Sequence, residues 1–135
     1  MSRKTFVNLP VKDLAKTIEF FNALGFSFNQ QFTSPQTACL IISEDAYAML
    51  HVEPSFKEFT GKDLTDTSKS AEVIVGLSAE SREEVDALVN KVVAAGGQAL
   101  GEAQDQGFMY MRGFRDLDGH QWSFIYMDMS ATPGQ

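Results

Sequence analysis

The sequence predicts an α+β fold of paired βαβββ modules, each with a four-stranded antiparallel sheet and one helix. Three observations predict it. A strand–helix–strand order that starts at Thr5 starts again at Glu72. Each helical segment has one apolar stripe and stops at a glycine. Near the end, two apolar-aromatic runs flank Asp118-Gly119, a dipeptide suited to a tight hairpin turn.

Taken in order, Thr5–Leu9 reads as a strand ended by Pro10, which cannot donate to a ladder. Asp13 stands at an N-cap, and Leu14, Ile18, Phe21 and Leu24 follow at helical spacing up to Gly25. Three strands are expected next, over 26–32, 37–42 and 46–52. The first puts Phe26, Phe28 and Phe32 in phase. Alternation in the third places Tyr47, Met49 and His51 on one face and Ala48, Leu50 and Val52 on the other. Ser34-Pro35 and Glu44-Asp45 mark the turns between these strands.

Residues 54–70 are polar and broken by Pro54 and Gly61, which suggests a linker between modules 1–53 and 71–129 of one domain, 1–135. A short helix there would carry Phe56 and Phe59, either packed on a core or covering a pocket mouth. The second module opens with a strand at 72–78. Ser81 and Glu84 then form a capping box, and Val85, Leu88, Val89 and Val92 supply the stripe before Gly96-Gly97. A weaker strand over 98–103 and the aromatic hairpin complete it. A repeated unit too small to bury its own sheet face implies that the halves complete one another.

Composition narrows the function. A net charge of −7 disfavours nucleic acid and anionic membrane surfaces, so neither is an expected partner. The 44% hydrophobic content, with eleven Phe, suits a buried core. Cys39 is the one cysteine and lies in the apolar run Ala38–Ile42, where an inert core thiol is expected. Met1–Lys4 leads straight into a strand-like run and no segment has the length of a membrane span, so a cytoplasmic location is expected.

The closing Phe114-x-Asp116-x-Asp118-Gly119-His120-x-Trp122 resembles the vicinal-oxygen-chelate superfamily of glyoxalase I, fosfomycin and bleomycin resistance proteins, and extradiol dioxygenases. So do the opening Phe6–Leu14 and Phe20–Phe26, which look like the first module of bacterial glyoxalase-like members. The resemblance covers nearly the whole chain. It implies that each sheet curls into a half-barrel with the helix on the convex side and an active cavity on the concave side. It also implies that members commonly form dimers, so a homodimer is expected.

In that superfamily four inward positions, on the first and last strands of each module, can hold a divalent metal that binds two adjacent substrate oxygens. The first falls on Asn8, where the metal enzymes usually carry His, and the closing glutamate falls on Ser123. The other two fall near Met49 and Gly76. None is a good ligand for a hard or borderline ion, so no metal cofactor is expected at these positions. A displaced site could use His51 and Glu53, with Asn8, because alternation puts both on the face of Met49. His51 could instead be a general base or hydrogen-bond donor in the cavity, or sit half solvated at its strand end, the reading the sequence favours.

His120 follows the turn glycine and is expected to support the hairpin, while Trp122 and Phe124 alternate with Ser123 and face the helix layer. Tyr110 and Arg112 share a face of the penultimate strand. If it is concave they can bind an anionic or polar group; if convex, Met109 and Met111 take the cavity. Glu83-Glu84 and Asp116/Asp118 read as caps and turn residues. Two functions follow from the resemblance. One is a metal-free binding protein holding a small, partly apolar ligand among Phe6, Asn8, Tyr47, Met49, His51, Ser123, Tyr110 and Arg112. The other is a metal-dependent lactoylglutathione lyase-like enzyme with the displaced site.

Overall fold

Residues 3–128 and residue 130 are described by a computed structural model of the chain. The expected module limits at residues 1 and 129 lie outside the described residues. The chain divides into two compact units, Met1–Asp66 and Thr67–Gln135.

The first unit runs β1 (Thr5–Val11), α1 (Leu14–Ala23), β2 (Ser27–Phe28), β3 (Thr37–Ser43), β4 (Ala46–Val52) and α2 (Glu53–Thr60). The second runs β5 (Ile74–Ala79), α3 (Arg82–Ala94), β6 (Gln98–Asp105), β7 (Met109–Arg115) and β8 (Gln121–Met127). Strand order is β1-β4-β3-β2 in one sheet and β5-β8-β7-β6 in the other, so the same wiring is used twice. The expectation of purely antiparallel sheets is corrected: β1 pairs with β4, and β5 with β8, in parallel. The crossover helix carries the chain back, so β2 runs with β1. Two antiparallel steps later β4 runs that way again, and seating it beside β1 makes the pair parallel.

Local signals account for the helices. The Asp13 side chain accepts from Lys16 N at 3.1 Å to start α1, and Gly25 takes φ 101° just past its end. The buried stripe of α1 is Leu14, Thr17, Phe20 and Phe21, so Ile18 sits at the edge of the face and Phe20 replaces it in the core. Ser81 accepts from Glu84 N at 3.1 Å to start α3, while the Glu84 carboxylate accepts from Glu80 N rather than from the cap residue. Val85, Val89 and Val92 are fully buried against the sheet, where Phe114 stacks on Trp122 and Phe124 at ring separations of 6.3 and 5.2 Å. Burying each ring contributes about 1.5–3 kcal/mol.

One further expectation fails for a local reason. The strand over 26–32 shrinks to Ser27–Phe28, because Asn29 Oδ1 accepts from Gln31 N and turns Gln30–Phe32 into a 3-10 helix. Phe32 is thereby exposed, out of phase with buried Phe28. The short helix suggested for the linker forms at its start: Pro54, tolerated in a first turn, opens α2, which Gly61 ends at φ 68°. No residue of α2 is buried, so Phe56 and Phe59 are not core residues.

Candidate functional site

In the first unit α1 packs on one sheet face, which buries Leu9, Val11, Ala38, Leu40, Ala48 and Leu50. Alternation sends their neighbours to the opposite, open face. There Phe6 lies beside Tyr47, Asn8 beside Met49, and His51 beside Thr37. Phe6 and Tyr47 stack at 5.2 Å and 15°. The Tyr47 hydroxyl donates to the Glu44 carbonyl at 3.0 Å, and Lys4 Nζ lies 5.8 Å from its ring, so Tyr47 offers this face a ring more than a hydroxyl.

The polar centre of the face is His51. Its Nε2 lies 2.8 Å from Asn8 Oδ1 and its Nδ1 lies 2.8 Å from Thr37 Oγ1. An amide oxygen only accepts, so Nε2 carries the proton, and Nδ1 accepts from the Thr37 hydroxyl. The ring is buried, and desolvation lowers its pKa, which favours the neutral form. Phe59 of α2 meets it edge-on at 5.0 Å and Phe56 lies at 6.4 Å. The half-solvated strand end expected for His51 is therefore corrected to a buried, doubly bonded imidazole. Cys39, whose register partner is Met49, is also buried, and desolvation pushes its thiol up, as suits an inert side chain.

β4 ends at Val52 and Glu53 opens α2, so the strand alternation that would have aligned the two side chains stops one residue short. Thr37 is a member of the site that the sequence did not single out, whereas Phe59, read there as packing on a core or covering a pocket mouth, lies against His51.

In the second unit α3 covers the face carrying Val75, Leu77, Phe114, Trp122 and Phe124. Tyr110 and Arg112 share this face. The Tyr110 hydroxyl donates to Asp86 Oδ1 of α3 at 2.8 Å, and Arg112 Nη1 donates to the same oxygen at 3.1 Å. These two candidates thus lie on the helix side and do not accompany Ser123; Met109 and Met111 take the opposite face. Ser123 pairs with Gly76 in β5 and with Gly113 in β7, and it is buried. A Cβ built on Gly76 would come within 3.2 Å of Ile125 Cδ1 and 3.4 Å of Ser123 Oγ. In the hairpin, the backbone N–H of His120 donates to Asp116 Oδ1 at 3.0 Å, a supporting contact.

The sequence profile of the Glyoxalase/Bleomycin resistance protein/Dioxygenase superfamily matches residues 5–124. The chain belongs to this superfamily. A solved structure of a hypothetical protein from S. aureus is similar over 93% of this chain and 94% of its own, with 32% identity and a TM-score of 0.80. A Burkholderia phytofirmans PsJN enzyme of the glyoxalase/bleomycin resistance protein/dioxygenase family gives a TM-score of 0.79 at 14% identity, covering 93% of this chain and 99% of that one. The fosfomycin resistance protein FosX of Listeria monocytogenes gives 0.66 at 18% identity, covering 96% and 97%. No curated protein matches the sequence.

The four metal positions that this superfamily implies fall here into two register pairs, Asn8 with Met49 and Gly76 with Ser123. The pairing agrees with a site built across adjacent strands, but the donor chemistry does not. Asn and Ser are weak neutral oxygen ligands, a thioether suits soft ions, and glycine has no donor. His51, the nearest imidazole, has both nitrogens engaged. Among the described residues no three His, Cys, Asp or Glu side chains gather. The residues present do not fit the superfamily's divalent metal. No helix among the described residues is long and apolar enough to cross a membrane.

Proposed function

We propose that this superfamily member binds a small, partly apolar molecule on the open sheet face around Asn8, with no metal at the superfamily's four positions. One observation carries the proposal: the paired positions Asn8–Met49 and Gly76–Ser123 offer no charged or imidazole donor. The face offers instead the rings of Phe6 and Tyr47, the thioether of Met49 and one exposed carboxamide. A mainly apolar surface with few fixed polar groups is the usual make-up of a small-molecule site.

The test is metal analysis of protein purified without chelator, paired with thermal-shift screening of hydrophobic compounds in the presence and absence of EDTA. Substoichiometric metal, and stabilisation by a hydrophobic compound that EDTA leaves unchanged, are the expected results. Stoichiometric Zn, Ni, Mn or Fe that is lost in His51→Ala would overturn the proposal in favour of a metal-dependent lyase.

A further inference from the structure

We propose that Asn8 is a ligand-recognition residue, a hydrogen-bond donor held in one orientation by His51, and that its ligand carries an acceptor oxygen beside a flat apolar body. This rests on the reading that the open face binds a small molecule. An unrestrained carboxamide can turn over and present either its oxygen or its nitrogen. Here two partners remove that freedom. Oδ1 accepts from His51 Nε2 at 2.8 Å, and Nδ2 lies 3.5 Å from the Phe6 carbonyl. Turning the amide over would set its oxygen against that carbonyl, acceptor against acceptor, and would force His51 into the other tautomer. Asn8 is exposed, and the second N–H of its Nδ2 has no partner among the described residues.

A strand position that could have held a cation thus presents a hydrogen-bond donor. It prefers a carbonyl, carboxylate or phosphonate oxygen and disfavours an ammonium group. Exposed aromatic surface lies on both sides. Phe6 is 52% exposed above its Tyr47 partner, and Phe59 is 69% exposed at the His51 edge. A flat ring bearing an acceptor oxygen matches donor and surfaces together. His51, which reaches the ligand only through Asn8, is a positioning residue.

The test uses the full 15N-labelled chain with two probes, benzoate as acceptor and benzylamine as donor. Benzoate is expected to shift the Asn8 side-chain amide signals and to bind at least about tenfold more tightly than benzylamine, the worth of one charge-assisted hydrogen bond. Asn8→Asp keeps an oxygen facing His51 Nε2 but removes the donor, so it should lose benzoate binding and favour benzylamine. The His51 ring 15N shifts should report the Nε2-protonated tautomer. The other tautomer, or benzoate binding unchanged in Asn8→Asp, overturns the assignment of Asn8 while leaving a binding face in place. A wild-type chain that binds neither probe, with the expected tautomer intact, overturns the small-molecule reading itself and this proposal with it.

Discussion

Replacing Asp116 by Asn exchanges one carboxylate oxygen for an amide nitrogen at the base of the closing hairpin. Asp116 is 8% exposed. Its Oδ1 accepts from the backbone N–H of Asp118 at 2.9 Å and of His120 at 3.0 Å, and its Oδ2 accepts from Trp122 Nε1 at 2.9 Å. Three donors converge on one buried carboxylate, and an amide can satisfy only one side. If its oxygen stays with the backbone, its NH2 confronts the indole N–H of a fully buried Trp122. If it turns over, two backbone N–H groups lose their acceptor. Either arrangement should lower stability by about 2–3 kcal/mol, the loss of a bond to a charged acceptor with a buried donor left unpaired. That is a large share of the roughly 5–15 kcal/mol typical of a domain.

Trp122→Phe removes the opposing indole N–H. In a double-mutant cycle the pair should therefore cost about 1–2 kcal/mol less than the sum of the single changes. Urea unfolding followed by circular dichroism measures all four proteins, since Trp122 is the one tryptophan and cannot serve as the probe throughout. A loss below about 0.5 kcal/mol in Asp116→Asn, or strict additivity in the cycle, would refute the three-donor argument.

Three further outcomes are expected. Desolvation lowers the His51 pKa from its ordinary 6.5, so the unfolded chain takes up that proton first as pH falls. Stability should then be fully present above the unfolded value and decline as pH drops from there toward the folded value. Melting temperatures between about pH 5 and 8 should show a shallower acid slope in His51→Gln than in wild type, and equal slopes would sink the argument. Gly119→Ala should cost about 2–3 kcal/mol by urea unfolding, from its φ of 81° plus a Cβ 2.6 Å from Thr67 Oγ1, the hydroxyl that donates to the Asp118 carbonyl. Gly61→Ala, at φ 68° with open space around it, should cost only about 1 kcal/mol, and equal losses would contradict the steric part.

What the sequence made legible was what a few adjacent residues decide. Asp13, Ser81 and Gly25 mark helix ends through local hydrogen bonds and a local φ, and Asp118-Gly119 marks the hairpin in the same way. The duplicated order of elements then follows, and the family resemblance with it. Register is different, because it is set across strands. Reflecting β3 onto β4 about the Glu44-Asp45 turn pairs Ser43 with Ala46, as observed, and would carry Thr37 opposite Val52. A shift in register between Ile41 and Ser43 brings Thr37 opposite His51 instead. No residue type announces that extra position, so the Thr37–His51 contact was out of reach. The face taken by Tyr110 and Arg112 likewise depended on Asp86, a partner on another element whose helix position carries no sign of its role.

The crowding at Gly76 bears on what a side chain at that position would require. A β-carbon there would lie tightly at 3.2 Å from Ile125 Cδ1 and in ordinary contact, at 3.4 Å, with Ser123 Oγ. A chelating side chain at that corner would first need the Ile125 side chain to move aside by a few tenths of an ångström, and that movement alone confers no grip on an ion. Placing a donor side chain at this position thus calls for two coordinated changes, the new side chain itself and the accommodation of Ile125.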